Sequence, residues 1–283
     1  MRREESGYPF VVPALVILCL VTLYPVAYVF YLSLQRRLLI FHIARFVGLD
    51  NYLFLLGDSR FWNALKNTLY FTGLSVSAEL FLGLCLAILL NRTFPFRGFM
   101  RALILIPWAI PTVVSAKMWE WMYNSDFGVI NYLLGTNVNW LGSPSWALNA
   151  AVFMDVWKTT PFVAILLTAG LQTIPRDLYQ AAWLDGAGPW SLFRKITLPL
   201  LKPVILVVLI FRTLDAFRVF DAVYVLTGGG PADTTETLSV YAYKVFFQTL
   251  QFGYGSTLSI VVFLSVGCIS LFYVSLLRKE VRW

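Results

Sequence analysis

Six apolar stretches, at about 8–34, 62–90, 102–123, 146–171, 204–226 and 256–277, recur along the chain with short polar segments between them. Each is close to or beyond the ~20 residues that an α-helix needs to cross a hydrocarbon core of about 30 Å. Inside lipid, every backbone N–H and C=O must find a partner within its own segment or a closed barrel, so runs of this length read as membrane helices. With 59% hydrophobic residues, only 13% charged, and a mean hydropathy of +0.72, the chain is too apolar for a water-soluble domain. The expected fold is an all-α membrane protein of about six transmembrane helices, a single transmembrane domain over residues 1–283. The first run is too long for the core of a signal peptide, and Pro13 and Pro25 are expected to kink it.

The net charge of +7 would point to nucleic acid in a soluble chain, but here the useful question is where Lys and Arg lie. Most stand at the N-terminus (Arg2, Arg3), in the connection 91–101, in segment 174–203, and at the C-terminus (Arg278, Lys279, Arg282). The positive-inside rule then places both termini and segment 174–203 in the cytoplasm. One loop disagrees: Arg36, Arg37, Arg45 and Arg60, in a loop at 35–61, would lie outside. A second outside loop, 227–255, is long and contains glycines. Cys19, Cys85 and Cys268 lie within apolar runs without metal-ligand spacing and read as small buried hydrophobes. The single histidine, His42, reads as a surface residue, and no metal site is expected.

Segment 174–203 is the long polar-punctuated stretch of the second half. It reads as two short helices meeting at a bend: Pro175 opens the first, Gly186 or Gly188 closes it, Pro189 starts the second and Leu198-Pro199 stops it. Its run Gln180-Ala181-Ala182, then Asp185-Gly186-Ala187, followed by Phe193, Ile196, Leu198-Pro199 and Pro203, resembles the cytoplasmic coupling loop of ATP-binding-cassette importer permeases of the maltose-type sugar branch. The usual first residue there is Glu; Gln180 replaces that carboxylate with a neutral amide. The resemblance implies that Tyr179, Gln180, Ala181, Ala182, Asp185, Gly186 and Ala187 couple to an ATPase. It places these coupling helices between the fourth and fifth spans.

Charges within apolar spans are costly and tend to face a bundle interior or an aqueous cavity. On the fifth span Arg212, Asp215, Arg218 and Asp221 recur at three-residue steps, as on one slowly rotating helix face, with Phe211, Phe217 and Phe220 beside them. Alternating charge and aromatic surface suits a sugar, whose hydroxyls take charge-assisted hydrogen bonds and whose ring face takes an aromatic platform. The same pattern also reads as a structural ion-pair ladder. On the fourth span, Asp155, Lys158, Thr159 and Thr160 precede Pro161, beside Trp157; this is either a cavity-lining patch or an ion pair of Asp155 with Lys158. Glu79 is open as a partner for any of these cations. By the resemblance, Arg212, Asp215 and Ala216 contact sugar. The wider candidate set is Arg212, Asp215, Ala216, Arg218, Asp221, Trp157, Lys158 and Thr159.

Thr227-Gly228-Gly229-Gly230-Pro231 carries no Gly-Lys-Ser/Thr and so no phosphate cradle, and the chain holds no Gly-x-Ser-x-Gly, His-Glu-x-x-His or Cys-x-x-Cys. No catalytic residue and no cofactor in this chain are expected. The family implies ATP and Mg bound by a partner, a second similar permease, two ATPase subunits and an extracytoplasmic sugar-binding protein, in the plasma membrane of a prokaryote. The segments 157–162 and 211–218 look most like those of permeases for trehalose and related α-glucosides. The alternative is an ion-coupled secondary transporter using Asp215, Asp221 and Glu79 as a relay.

Overall fold

The computed structural model describes residues 8–280, so the arginines at 2, 3 and 282 lie outside the described residues. In chain order the elements are α1 (Tyr8–Leu18), a π-helical turn (Cys19–Leu23), α2 (Tyr24–Ser33), β1 (Gln35–Leu38), β2 (Ile43–Phe46), α3 (Asp50–Gly57), α4 (Ser59–Asn91), α5 (Arg97–Ala109), α6 (Thr112–Met122), α7 (Val129–Leu134), α8 (Ala147–Gln172), α9 (Arg176–Leu184), α10 (Pro189–Leu192), a second π-helical turn (Phe193–Thr197), α11 (Leu198–Phe217), α12 (Asp221–Thr227), α13 (Leu238–Phe247) and α14 (Phe252–Glu280). Five continuous helical stretches are long and apolar enough to cross a membrane, and the bent pair α5–α6 makes a sixth. That agrees with the expected helical membrane fold.

Several boundaries differ from expectation, each for a local reason. The third span is broken: α5 and α6 meet at 89°. Ile110 precedes Pro111, and the proline ring drives its neighbour into extended backbone, here φ −73°, ψ 134°. The Leu198-Pro199 pair does not stop a helix; residues Pro189–Phe217 form one continuous stretch. Pro199 follows the π-helical turn and sits in the first turn of α11, where an absent N–H costs little. The loop at 35–61 contains the β1–β2 hairpin and α3, and the loop at 227–255 contains α13. The three cysteines are exposed on the protein rather than buried. Among lipid-facing side chains a thiol is simply another small apolar group.

Contacts divide the described residues into two units. The first comprises residues up to Phe61 together with Tyr241–Leu264. At its centre Asp58 Oδ2 accepts hydrogen bonds from the Tyr241 hydroxyl (2.6 Å) and the Tyr254 hydroxyl (2.5 Å). Burial pushes the Asp58 carboxyl up, but those hydroxyls and the backbone N–H groups of Arg60 and Phe61 outweigh it and hold the group below its ordinary value. A depressed carboxyl contributes stability above its unfolded pKa, lost as pH falls through the lower folded value. Asp58→Ala is therefore expected to lower the stability of this unit by about 1–2 kcal/mol at neutral pH. The gap in melting temperature from the parent chain should shrink as pH drops below about 4. A gap unchanged down to pH 3 would remove Asp58 ionisation as the cause.

The second unit, Trp62–Val240 with residues from Ser265 onward, holds the main core. Phe71, Trp119, Tyr123, Met154, Val156 and Val223 pack in one cluster, and Ala87, Val163, Leu167, Leu201 and Val208 in another. α8 is the axis of this unit, buried over most of its length and packed against α4, α5, α11 and α12. Close approach is made by small residues: a Cβ on Gly83 would stand 2.5 Å from Val163 Cγ1, so α4 meets α8 there with almost no gap.

Candidate functional site

The polar centre of the second unit forms where α4, α8 and α11 converge, and Arg212 is its hub. Its side chain is 5% exposed and faces three carboxylates. Nε and Nη2 donate to the two oxygens of Glu79 at 2.5 and 2.9 Å, a bidentate fork. Nη2 also donates to Asp155 Oδ2 at 3.2 Å and Nη1 to Asp215 Oδ2 at 2.8 Å. Glu79 is fully buried, and the Thr159 hydroxyl lies 2.6 Å from its Oε1. A carboxylate taken fully out of solvent must be paired and hydrogen-bonded, and Arg212 with Thr159 does both. Glu79, left open by the sequence, thus belongs to Arg212.

Lys158 does not pair with Asp155. Its ammonium donates to the carbonyl oxygens of Ile110 (2.7 Å) and Trp108 (3.3 Å), at the break between α5 and α6. Those carbonyls lost their helical N–H partners when Pro111 ended α5, and a buried lysine with three donors replaces them. Of the two readings the sequence left open, the ion pair fails, because helical spacing makes an i, i+3 contact possible without excluding a stronger demand from another element.

The expected ladder of four charges is also shorter. α11 ends at Phe217, with Arg218 already outside helical geometry at φ −102°, ψ 22°, and Asp221 opens the separate helix α12. Arg218 still lies 3.8 Å from Asp215, a loose and exposed pair. The turn swings Arg218 and Asp221 toward a half-open cavity of about 440 Å³, which Asp155, Lys158, Thr159, Arg212, Asp215 and Ala216 also line. Its apolar walls are Phe211, Phe220, and Trp108 stacked on Phe162 with ring centroids 5.5 Å apart. Trp157 is the exception among the candidates: one position before Lys158, it points away and packs edge-on against Trp119, in the hydrophobic cluster. Trp108 and Phe162 were missed by sequence reasoning. The prolines at 107 and 111 were the signal, since a broken span exposes backbone and side chains to a cavity.

The segment 174–203 has the expected bend. α9 begins directly after Pro175 and ends in a left-handed Gly186 at φ +77°. Ala187 N–H returns to Ala182 O at 2.9 Å and Gly186 N–H to Trp183 O at 3.0 Å, the double bond of a Schellman-type end. α10 then starts at Pro189. Tyr179 anchors α9 inward, its hydroxyl 3.0 Å from Thr197 Oγ1. Gln180, Ala181, Asp185 and Gly186 face outward, while Ala182 and Ala187 are half-buried. Beside them Trp183, Leu184 and Trp190 are exposed, Leu184 by 90%.

Residues 79–281 match the profile of the binding-protein-dependent transport system inner membrane components. The chain is a member of that family. It is accordingly an integral membrane permease, and in such importers the ATPase is a separate subunit. Among curated relatives, the permease is 46% identical over 281 residues to the trehalose/maltose transport system permease protein MalF of Thermococcus litoralis, covering 98% of this chain and 95% of that one. It is 41% identical to the sulfoquinovosyl glycerol transport system permease protein SmoG of Agrobacterium fabrum (95% and 89%). It is 40% identical to the trehalose transport system permease protein SugA of Mycobacterium tuberculosis (98% and 90%). A bacterial importer of the acidic polysaccharide alginate contains a chain of the same fold, with a TM-score of 0.86 at 23% identity over 99% of this permease and 98% of that chain.

Proposed function

We propose that this permease carries a neutral sugar, trehalose or a related α-glucoside, through the cavity beside Arg212, driven by ATP hydrolysed on partner subunits. The pairing of the cavity's cations carries the reading: Arg212 is committed to three carboxylates, Lys158 to the carbonyl oxygens of Ile110 and Trp108, and Arg218 stands 3.8 Å from Asp215, so each lining cation already has an acceptor while Asp215 and Asp221 still offer oxygens to sugar hydroxyls. Stacked Trp108 and Phe162, with Phe211 and Phe220, supply apolar faces for a pyranose ring. A volume of about 440 Å³ lies within the usual ~300–1,000 Å³ of ligand pockets. The relatives named for trehalose support the substrate class.

Transport in this reading needs a second permease, two cytoplasmic ATPase subunits and an extracytoplasmic binding protein. Closure of the ATPase pair pushes on α9 through Gln180, Asp185 and the Gly186 bend, and the spans rotate as rigid bodies between inward- and outward-open states. Gln180 makes a neutral hydrogen bond where the family pattern has a carboxylate. The coupling helices and both termini lie on the cytoplasmic side.

The test is co-purification of the tagged chain from native membranes, then reconstitution of the recovered subunits with candidate sugars. ATP-dependent uptake of trehalose or maltose, with little uptake of glycerol phosphate, is the expected result. Uptake driven by an ion gradient without any ATPase would overturn the proposal. Within the cavity, Asp215→Asn should reduce sugar uptake at least tenfold while chain abundance stays at the parental level, because Asp215 is 60% exposed and Arg212 keeps Glu79 and Asp155. Unchanged uptake would leave Asp215 as a structural partner only.

A further inference from the structure

The β1–β2 hairpin of the first unit places two like charges directly opposite each other: Arg36 pairs across the strands with Arg45. Facing arginines repel, and a two-stranded ribbon has little stability to spare. Arg37, the next residue of β1, projects from the other face of the ribbon, its Nη1 3.5 Å from the Tyr28 hydroxyl. Among the described residues none of these three arginines has a carboxylate partner; Asp50, which lines the adjoining cavity, pairs with none of them. Arg60, the fourth arginine of this region, is accounted for separately, over the Tyr241 ring at 4.8 Å.

The depth of the hairpin indicates what could neutralise it. The first span ends at Ser33 and β1 begins at Gln35, so the hairpin emerges directly from the end of a membrane helix. Tyr24, Tyr28 and Tyr31 are exposed on the last turns of that span, Tyr24 and Tyr28 stacked, as in the aromatic belt at headgroup level. The contact with Tyr28 holds Arg37 at that belt. At the tip of the ribbon Leu39, Ile40 and Phe41 are exposed, an apolar edge beside the cations. Between hairpin and α3 lies a half-open cavity of about 660 Å³ whose lining joins the basic Arg36 and Arg37 to the apolar Leu38, Phe41, Val47 and Phe54.

We infer that Arg36 and Arg45 hold the phosphate of an anionic phospholipid, whose glycerol and upper acyl chains occupy the cavity that Arg36 lines. A phosphate between Arg36 and Arg45 turns a repulsive pair into two charge-assisted contacts. It also accounts for two of the four arginines that run against the charge distribution of the other loops, since a bound anionic headgroup cancels their charge locally.

The intact chain, purified with its co-purifying subunits and stripped of lipid, would be followed by native mass spectrometry and thermal melting with added phosphatidylglycerol, phosphatidylcholine or inorganic phosphate. Phosphatidylglycerol should remain bound and raise the melting temperature, and phosphatidylcholine should do neither. The double variant R36Q/R45Q should melt at or above the parent without lipid, because the repulsion is gone. It should retain phosphatidylglycerol roughly 20- to 30-fold less well, the loss expected for two basic groups at an anionic surface. Arg36→Lys, which keeps the charge, should retain most of the binding. Equal binding of both lipids, normal retention by R36Q/R45Q, or a full stabilisation by millimolar phosphate alone would overturn the inference. So would loss of a soluble protein partner from the double variant with lipid binding intact.

Discussion

Replacing Arg212 by Met is expected to deplete the permease from the membrane fraction several-fold and abolish transport. The substitution keeps the apolar stem but leaves Glu79, with no exposed side-chain surface, and Asp155, 11% exposed, without their cation. Removing one partner of a buried ion pair costs about 3–5 kcal/mol, mostly the penalty of the stranded charge. A domain of ordinary stability has only about 5–15 kcal/mol in hand. The second arm separates electrostatics from packing: R212M/E79Q removes the more deeply buried of the two stranded charges, leaving only the partly exposed Asp155, and should recover at least half of the lost abundance. Its transport should still fail, because Asp215 would no longer be held in the cavity. Abundance and melting temperature in detergent read the first effect, sugar uptake the second. Wild-type melting of R212M would show that α4, α8 and α11 are held by packing alone.

The contrast with Asp215 orders the polar centre by burial. Arg212, Glu79 and Asp155 fasten three spans together, whereas Asp215 is 60% exposed and reaches the cavity. In the proposed reading the ladder and the sugar site divide by residue, the buried end pairing the spans and the exposed end facing the cavity.

What the sequence made legible follows from the range of the physics involved. Apolar runs fix helices because lipid offers no partner to unpaired backbone, and each expected span is found as a helix or a bent helix pair, the fifth ending at Phe217 rather than running on to 226. The bend at Gly186 was legible because a left-handed residue before a Pro-initiated helix is a local signal. The partners of Arg212 were not, because Glu79 lies 133 residues away and any of several acids could have met it. The partners of Lys158 were hidden for the same reason: its carbonyl partners lie 48 and 50 residues away and exist only because Pro111 breaks a helix. The end of α11 at Phe217 was hidden by continuous hydrophobicity, since apolar composition does not distinguish one long helix from a helix, a turn and another helix.

The bend between α9 and α10 gives the other large expected effect. Gly186→Val should leave insertion and abundance near normal but lower sugar uptake and sugar-stimulated ATP hydrolysis at least tenfold. Nothing lies within 4 Å of a Cβ built on Gly186, so valine meets no clash inside the chain. The cost is conformational: a β-branched residue at φ +77° loses about 1–2 kcal/mol in the left-handed region. That is small against the stability of the whole fold, but it falls on one turn. Relief would come by rotating Gly186 out of the left-handed region, which breaks the return bonds from Gly186 and Ala187 and re-aims exposed Gln180, Asp185 and Leu184 relative to α10. A rigid-body transmission needs that surface in one orientation, so transport is lost while the spans remain intact. Gly186→Asn is the control, since asparagine tolerates the left-handed region and should retain much more activity than valine. Equal loss in both variants would assign the effect to side-chain bulk at the docking face; full activity in the valine variant would remove Gly186 from the coupling element.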